Sequence, residues 1–116
     1  MISLQNKLRQ MGEAFAELTD SCFHYWRPVK DVPCLIWYEQ GEIESFHADN
    51  RKQSQAISGI VDLFTKTEFD PLADAVQDKL DAMGLTWSYT EGANYEPETG
   101  LIHHQWTWEV ATDGES

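Results

Sequence analysis

The segment from Gly59 to Gly84 constrains the fold most, because it contains a strand, a turn and a helix with both ends marked. It reads GIVDLFTKTEFDPLADAVQDKLDAMG. Apolar residues on both faces of 56–66 predict a central strand that is covered on both sides. Asp70 as the N-cap, Pro71 at the first helical position and Gly84 after the last turn predict the following helix. The segment contains no recognisable catalytic residue.

The remaining regular segments predict one more helix and three more strands. An apolar stripe at helical spacing runs through 3–19, with Ser3 as N-cap. Short apolar or alternating runs predict strands at 33–39, 85–90 and 101–110. The order α–β–β–α–β–β indicates a small antiparallel or mixed four-stranded sheet with helices packed on it, in the α+β class.

Four segments are predicted to be irregular. The link 20–33 mixes aromatic residues with two prolines and has a short extended piece at Phe23–Trp26. The polar stretch from Gln40 to Gln55 is predicted to be a long hairpin connection, although hairpin loops usually have two to five residues. We expect a turn-rich connection at 91–100 and a frayed tail at 110–116.

Composition indicates one folded domain across all 116 residues. Hydrophobic residues make up 41% of the chain, which is far from the signature of disorder. No apolar run reaches the length of a membrane span, and the polar N-terminus does not resemble a signal peptide. We therefore expect a cytosolic protein without membrane contact, in which Cys22 and Cys34 stay as buried thiols.

The net charge of −12 is unevenly distributed. Residues 1–66 contain 9 acidic and 7 basic residues, whereas 67–116 contain 11 acidic residues and a single base, Lys79. An acidic surface repels nucleic acid phosphates. Sequence-specific nucleic acid binding is therefore not expected.

No catalytic, cofactor or metal site is predicted. His103 and His104 are adjacent on a strand, so their side chains leave opposite faces, and His47 with Asp49 lacks a third ligand for zinc. Proximity of Cys22 to His24 in sequence does not make a catalytic pair, and no phosphate-binding or nucleophile motif is present. The acids around Pro97 fit solvated turn charge. We expect a protein that is not an enzyme.

The aromatic residues suggest both a core and an interface. Trp87, Trp106 and Trp108 fall on strand faces that would pack on helices, so they are predicted core residues. Trp26 and Trp37 lie near irregular chain, and one or both are candidates for a subunit interface, where tryptophan is enriched. The long polar connection is interpreted as an arm that orders against a partner.

Several short segments of the sequence resemble segments of small head–tail joining proteins of long-tailed bacteriophages and prophages. These segments are PCLIWYEQG, ADN, VDLFTKTEFDPL and YEPETGLIHHQWTWEV, and the resemblance spans Phe23 to Val110. The nearest group is the tail-completion, or tail-terminator-like, family. The resemblance implies an α+β sandwich that forms a ring, typically of six subunits, on the tail tube and contacts the head connector. It also implies no catalytic residues, assembly in the host cytoplasm and a final location at the head–tail junction of the virion.

The same resemblance places the connection at a subunit or tube contact. As a hypothesis, Arg51 and Lys52 of one subunit would meet acids of the next near Glu91–Glu98. The full set of candidate interface residues is Phe46, His47, Asp49, Asn50, Arg51, Lys52, Trp37, Glu96 and Glu98.

Three alternatives remain open from the sequence. Another head–tail connector or minor tail protein would share composition and partners. An acidic protein that mimics DNA would need carboxylates along one face, which Asp70, Asp74, Asp78 and Asp81 supply on one side of a helix. A small enzyme or ligand carrier would need a pocket with convergent polar groups.

Overall fold

The fold is a five-stranded mixed sheet with two helices on one face. The computed structural model describes residues 3–48 and 51–112, without the side chains of 44–48, 51–54 and 91–92. The elements, in chain order, are α1 Leu4–Ala16, β1 Cys22–His24, β2 Cys34–Ala48, β3 Arg51–Thr65, α2 Pro71–Ala82, β4 Thr86–Glu96 and β5 Leu101–Thr112. The predicted α+β class is confirmed.

The predicted strand number and element order are wrong. The described chain has five strands in the order α–β–β–β–α–β–β, because the short extended piece forms a strand of its own. β1 pairs in parallel with β2, from Cys22 opposite Leu35 to His24 opposite Trp37. The three residues of β1 are too few for an alternation of apolar and polar residues to predict a strand. The strand that pairs with β1 lies about a dozen residues further along the chain, so β1 is recognised only in the tertiary structure.

Both helices begin where their capping residues predict. The Ser3 side chain accepts from the Asn6 backbone N–H at 3.1 Å. Asp70 accepts from the Leu72 N–H at 2.9 Å, and Pro71 follows at the first helical position. Gly84 has a left-handed φ of 72°, which ends α2 in the way that glycine favours.

The sheet has the spatial order β1–β2–β3–β5–β4, and all pairs except the first are antiparallel. β3 lies in the middle, paired with β2 on one side and β5 on the other, which confirms its prediction as the central strand. Its alternate residues reach separate clusters: Val61 and Leu63 face the helices, whereas Phe64 faces the opposite side.

The main core lies between the sheet and the two helices. Trp106 and Trp108 of β5 are fully buried there, which confirms two of the three predicted core tryptophans, whereas Trp87 of β4 is only partly buried at the margin of the core. The main core consists of Leu8, Met11, Phe15, Leu35, Trp37, Ile57, Val61, Leu63, Val76, Leu80, Leu85, Trp106, Trp108 and Val110.

A second, smaller cluster lies on the other face of the sheet, which we call the outer face. Cys34, Ile36 and Phe64 form it. Residues 25–33, between β1 and β2, supply part of its cover, because Val29 and Val32 pack against it and the Trp26 ring lies 6.3 Å from the Phe64 ring. This irregular link therefore closes one end of the outer face.

The predicted long connection between the first two long strands is wrong. β2 continues to Ala48 and β3 starts at Arg51, with backbone pairs from Cys34–Phe64 to Ala48–Arg51. Register shifts along β2 accommodate Gly41 and the polar residues around it. The polar sequence of these segments lacks the apolar alternation that marks a half-buried strand, so the pattern does not indicate that they pair.

The last two strands are also longer than predicted. β4 extends through the expected turn-rich segment to Glu96, with register shifts between Tyr89 and Asn94. β5 extends to Thr112, so the described part of the expected frayed tail is strand, and 113–116 lie outside the described residues.

Candidate interaction surfaces

The β2–β3 hairpin extends beyond the end of β5. β5 pairs with β3 only as far as Gln55, opposite Thr112. The backbone pairs Phe46–Ser54, His47–Lys52 and Ala48–Arg51 lie past that point. We call these backbone segments, 46–48 and 51–54, the hairpin tip. Among the described residues, no strand is paired with the tip on either side.

The hairpin determines the longest dimension of the molecule. β2 has 15 residues, and at about 3.3 Å per residue it spans roughly 50 Å. The principal extents of the molecule are 54 × 23 × 22 Å. A two-stranded hairpin is marginally stable by itself in water, so a tip without a third strand is a candidate contact surface.

The tip contains four of the predicted interface residues. Phe46, His47, Arg51 and Lys52 have strand backbone there, instead of belonging to the expected loop. Asp49 and Asn50 lie outside the described residues.

Trp37 does not belong to the candidate interface. Only 3% of the residue is exposed, because α1 and β5 cover its ring. An alanine methyl at Gly12 of α1 would lie 3.0 Å from the Trp37 ring, which shows how closely the helix approaches. The irregular sequence before Trp37 misled the prediction, since burial here comes from distant elements.

Glu96 and Glu98 lie at the end of the sheet opposite the hairpin tip. Glu96 is the last residue of β4 and pairs with Leu101. Its carbonyl accepts from the Gly100 N–H at 2.8 Å, which closes the turn containing Glu98. Within one chain, Arg51 and Lys52 are therefore separated from these acids by the length of the sheet.

A groove of about 620 Å³ lies between α1 and the β1–β2 edge. Its polar lining includes Arg9 and Glu13 from α1, and His24 and Glu39 from the strands. The His24 Nε2 contacts the Glu39 carboxylate directly. The His24 ring also stacks between the rings of Tyr25 and Trp37, at 3.9 Å from each centroid.

Tyr25 has an unusual backbone conformation at the rim of this groove. Its φ is 80°, a left-handed value that costs about 1–3 kcal/mol for a non-glycine residue. The Tyr25 N–H donates to the Trp37 carbonyl at 2.9 Å, and its ring covers His24. These contacts hold the start of segment 25–33 against β2.

The Cys22 thiol in the groove is not an activated nucleophile. Burial, reinforced by nearby Cys34, raises the pKa of Cys22 to about 11. Because the thiolate is the reactive form, this cysteine stays protonated and unreactive at neutral pH. The groove thus holds a direct contact between His24 and Glu39 and an aromatic stack, with no activated Cys–His pair.

A buried polar network lies on the outer face. Asp62 is 3% exposed and contacts His103 Nε2 at 2.7 Å and Gln105 Nε2 at 3.0 Å. The His103 ring stacks on Phe64 with 4.4 Å between centroids. The network joins β3 to β5 on the face that lacks helices.

His103 and His104 leave opposite faces of β5, as predicted. His104 lies on the helix face, where its Nδ1 is 2.6 Å from the Tyr89 hydroxyl. Burial lowers the pKa of His104 and raises the pKa of Tyr89, which favours the neutral form of both side chains in this hydrogen bond. The pair is part of an aromatic stack with Trp106.

Phe69 and Tyr95 are among the exposed aromatic residues to which the helix and strand patterns assign no interface role. Phe69 is 92% exposed with φ of 55°, and Tyr95 is 60% exposed near the end of β4. Phe69 could have been noticed in the sequence, because an apolar residue just before an N-cap usually packs on the fourth helical residue, which here is Asp74.

Within residues 3–48 and 51–112, no group of three histidine, cysteine, aspartate or glutamate residues is placed to hold a metal ion. Neither α1 nor α2 has the length and apolar character needed to cross a membrane. The chain matches no protein-family model and no curated protein.

Proposed function

We propose that this protein is a structural assembly subunit of the tail-completion, or tail-terminator-like, type found in long-tailed bacteriophages and prophages. In this role, copies of the chain form a ring, with six as the expected number, that caps the tail tube and joins it to the head connector. The chain acts without catalysis, metal or cofactor, and its working surfaces are those that meet other protein subunits.

The observation that carries the proposal is the hairpin that passes the end of its own sheet. Among the described residues no third strand pairs with the tip, and a two-stranded segment is only marginally stable by itself. A neighbouring subunit or the tail tube would provide the missing contacts. Binding energy would then come from the surface buried on the tip, and it would have to exceed the cost of ordering the contacting side chains.

The separation of the two charged regions also supports ring formation. A closed ring needs two different patches on each subunit, because each copy contacts one neighbour on either side. Arg51 and Lys52 lie in the tip, whereas Glu96 and Glu98 lie at the far end of the sheet. We propose that these groups meet between subunits, since they are separated within one chain.

The test is electron microscopy of particles from the phage that encodes this chain, with the gene deleted. Tails of uncontrolled length without filled heads are expected, and supplying the wild-type gene in trans should restore normal particles. Normal tails on filled heads would show that the proposal is wrong.

The intersubunit charge contact has its own test. Complementation with Arg51→Glu and Lys52→Glu together should yield few joined particles, because like charges would face each other across the contact. Arg9→Glu is the matched control, since Arg9 lies on α1 beside the groove. If the charge-reversed variant restored as many joined particles as the wild-type gene, the charge contact would be ruled out, but the assembly role would not.

The same deletion separates the alternatives. Tails of normal length that fail to join heads would favour another connector or minor tail role. Normal particles combined with binding of a host protein to the exposed acids of α2 would favour the DNA mimic. That reading has the weaker support, because exposed carboxylates of Asp74, Asp78 and Asp81 cover only one side of one short helix.

A further inference from the structure

Phe69 is an aromatic residue that the folded chain leaves uncovered. It is 92% exposed, and its φ of 55° lies in a region that bulky residues rarely adopt. It precedes the N-cap Asp70, a position from which an apolar side chain usually packs on the fourth helical residue. That residue is the exposed Asp74, so the usual intrachain contact is missing. We call Phe69 the knob.

The surroundings of the knob are mainly acidic. Glu68 and Asp74 are exposed on either side of the helix start, and Asp78 follows one turn later on the same face of α2. Lys66 is the one exposed cation in the loop before the helix. The knob therefore presents an apolar ring at the end of a row of carboxylates.

A hollow of about 360 Å³ lies on the opposite face of the sheet, beside segment 25–33. Phe23, Trp26 and Pro28 supply its apolar lining. Phe23 packs on the outer-face cluster, and Trp26, although 62% exposed, has its ring near Phe64. The hollow is thus supported from beneath while its tryptophan remains open to a partner.

The hollow has the opposite charge from the knob. Arg27 and Lys30 line it, against the single carboxylate of Asp31. The Arg27 guanidinium lies 4.0 Å from the centroid of the Phe23 ring, which keeps this cation at the edge of the hollow. In a chain of net charge −12, a basic and aromatic hollow fits an acidic and aromatic partner.

We propose that the knob of one copy of this chain inserts into the hollow of a second copy. The Phe69 ring would pack on Trp26, and Asp74 would approach Lys30 at the rim. The hollow lies on the outer face, whereas α2 packs on the helix face. One contact therefore leaves a free knob and a free hollow, so the association is head-to-tail, as a ring requires. This contact rests on the proposed function for its biological setting, and it would replace the contact between the hairpin tip and Glu96, because the knob, the hollow and Glu96 all lie toward the end of the sheet away from the tip.

The first experiment is sedimentation velocity of the purified full chain over a concentration series. We expect reversible association that weakens as salt rises, because the rim contacts are ionic. Phe69→Asn should reduce the association constant about 30-fold, as expected for an aromatic hot spot. Asparagine tolerates the left-handed backbone, so the thermal midpoint should hold or rise. Ile43→Asn is the control at another exposed apolar residue, outside the knob, the hollow and the hairpin tip, and should associate like wild type.

A charge exchange tests the pairing without changing the knob. Lys30→Glu and Asp74→Lys should each weaken association separately, because each creates a like-charge rim. Mixing the two variants should restore it, since each hollow then faces a knob of opposite charge. The contact would be overturned if the wild-type chain stayed monomeric or if Phe69→Asn associated like wild type. It would also be overturned if the mixture of the two charge variants associated no more strongly than each variant alone.

Failure of this contact is distinguishable from failure of the assembly role. Sedimentation uses only the purified chain, whereas the gene deletion reports on tail length and head joining. A monomeric chain together with overlong tails would overturn the knob–hollow contact alone. Normal particles together with head-to-tail association would overturn the assembly role alone.

Discussion

Trp108 lies directly on Gly59, its partner across the β3–β5 pair. A methyl group on Gly59 would be 2.0 Å from a carbon of the indole ring, far inside van der Waals contact. Trp108 is fully buried, and its Nε1 has no hydrogen-bond partner within the described chain. The ring is therefore held by packing, and the missing side chain at Gly59 makes the space for it.

Gly59→Ala is expected to lower the free energy of unfolding by about 3 kcal/mol, because the indole or the strand must move. Urea unfolding would measure the loss. Gly12→Ala is the matched control: its methyl would meet Trp37 at 3.0 Å, and the gain in helix propensity of about 1 kcal/mol offsets that tighter contact. Equal stability of Gly59→Ala and wild type would contradict the packing argument.

Asp62→Ala should lower the free energy of unfolding by about 2 kcal/mol, since His103 and Gln105 would lose their shared acceptor in a buried site. Asp62→Asn keeps one acceptor oxygen and should lose about half as much. A double-mutant cycle with His103→Ala would isolate the coupling between the two side chains. Asp78→Ala, at an exposed position, should change stability by less than about 0.5 kcal/mol. An Asp62→Ala chain as stable as this control would be inconsistent with the network.

The stability of the fold should fall in mild acid, partly through His104. Burial lowers its folded-state pKa below the ordinary value of 6.5. The folded chain therefore binds fewer protons, so the contribution is present above pH 6.5 and is lost as the pH falls below that value. NMR titration of the His104 ring should give a pKa below 6.5, and His104→Phe should flatten the acid side of the stability profile. A His104 pKa above 6.5 would refute this prediction.

Cys22 should resist alkylation in the native protein. Its pKa of about 11 leaves roughly one thiol in a thousand ionised at pH 8. Iodoacetamide labelling should therefore be slow, rise steeply with pH and become fast in urea. Because the folded pKa exceeds the ordinary value of 9.0, the associated stability is present below pH 9 and declines as the pH rises toward 11. Cys22→Ser is the control that distinguishes labelling of Cys22 from labelling of Cys34. Rapid labelling of native Cys22 at neutral pH would argue against its burial.

The helices and the central strand were predictable because their signals are local. Capping by Asp70, Pro71 at the helix start and Gly84 at its end each act within one turn. The two-faced apolar pattern of β3 reflects burial on both sides. The extension of β2 and β3 into the hairpin tip was missed for the opposite reason. Those residues are mostly polar, so no apolar alternation indicates that the two segments pair.

The candidate surfaces were only partly predictable. The segment carrying Arg51 and Lys52 was singled out by its length and polarity, although as a loop instead of paired strands. Trp37 was misassigned because its neighbours in sequence are irregular while its neighbours in space are α1 and β5. Phe69 and Trp26 became a matched pair of features only when their exposure and the two faces of the sheet were known.

The sequence by itself determined the α+β class, the helix starts, the central strand and the burial of Trp106 and Trp108, because caps and apolar periodicity act over a few residues. Tertiary structure alone decided the parallel β1–β2 pair, the burial of Trp37 and the separation of Glu96 from the hairpin tip. These features depend on which distant segments become neighbours. That choice is made by the free energy of packing the whole chain, which no short stretch encodes.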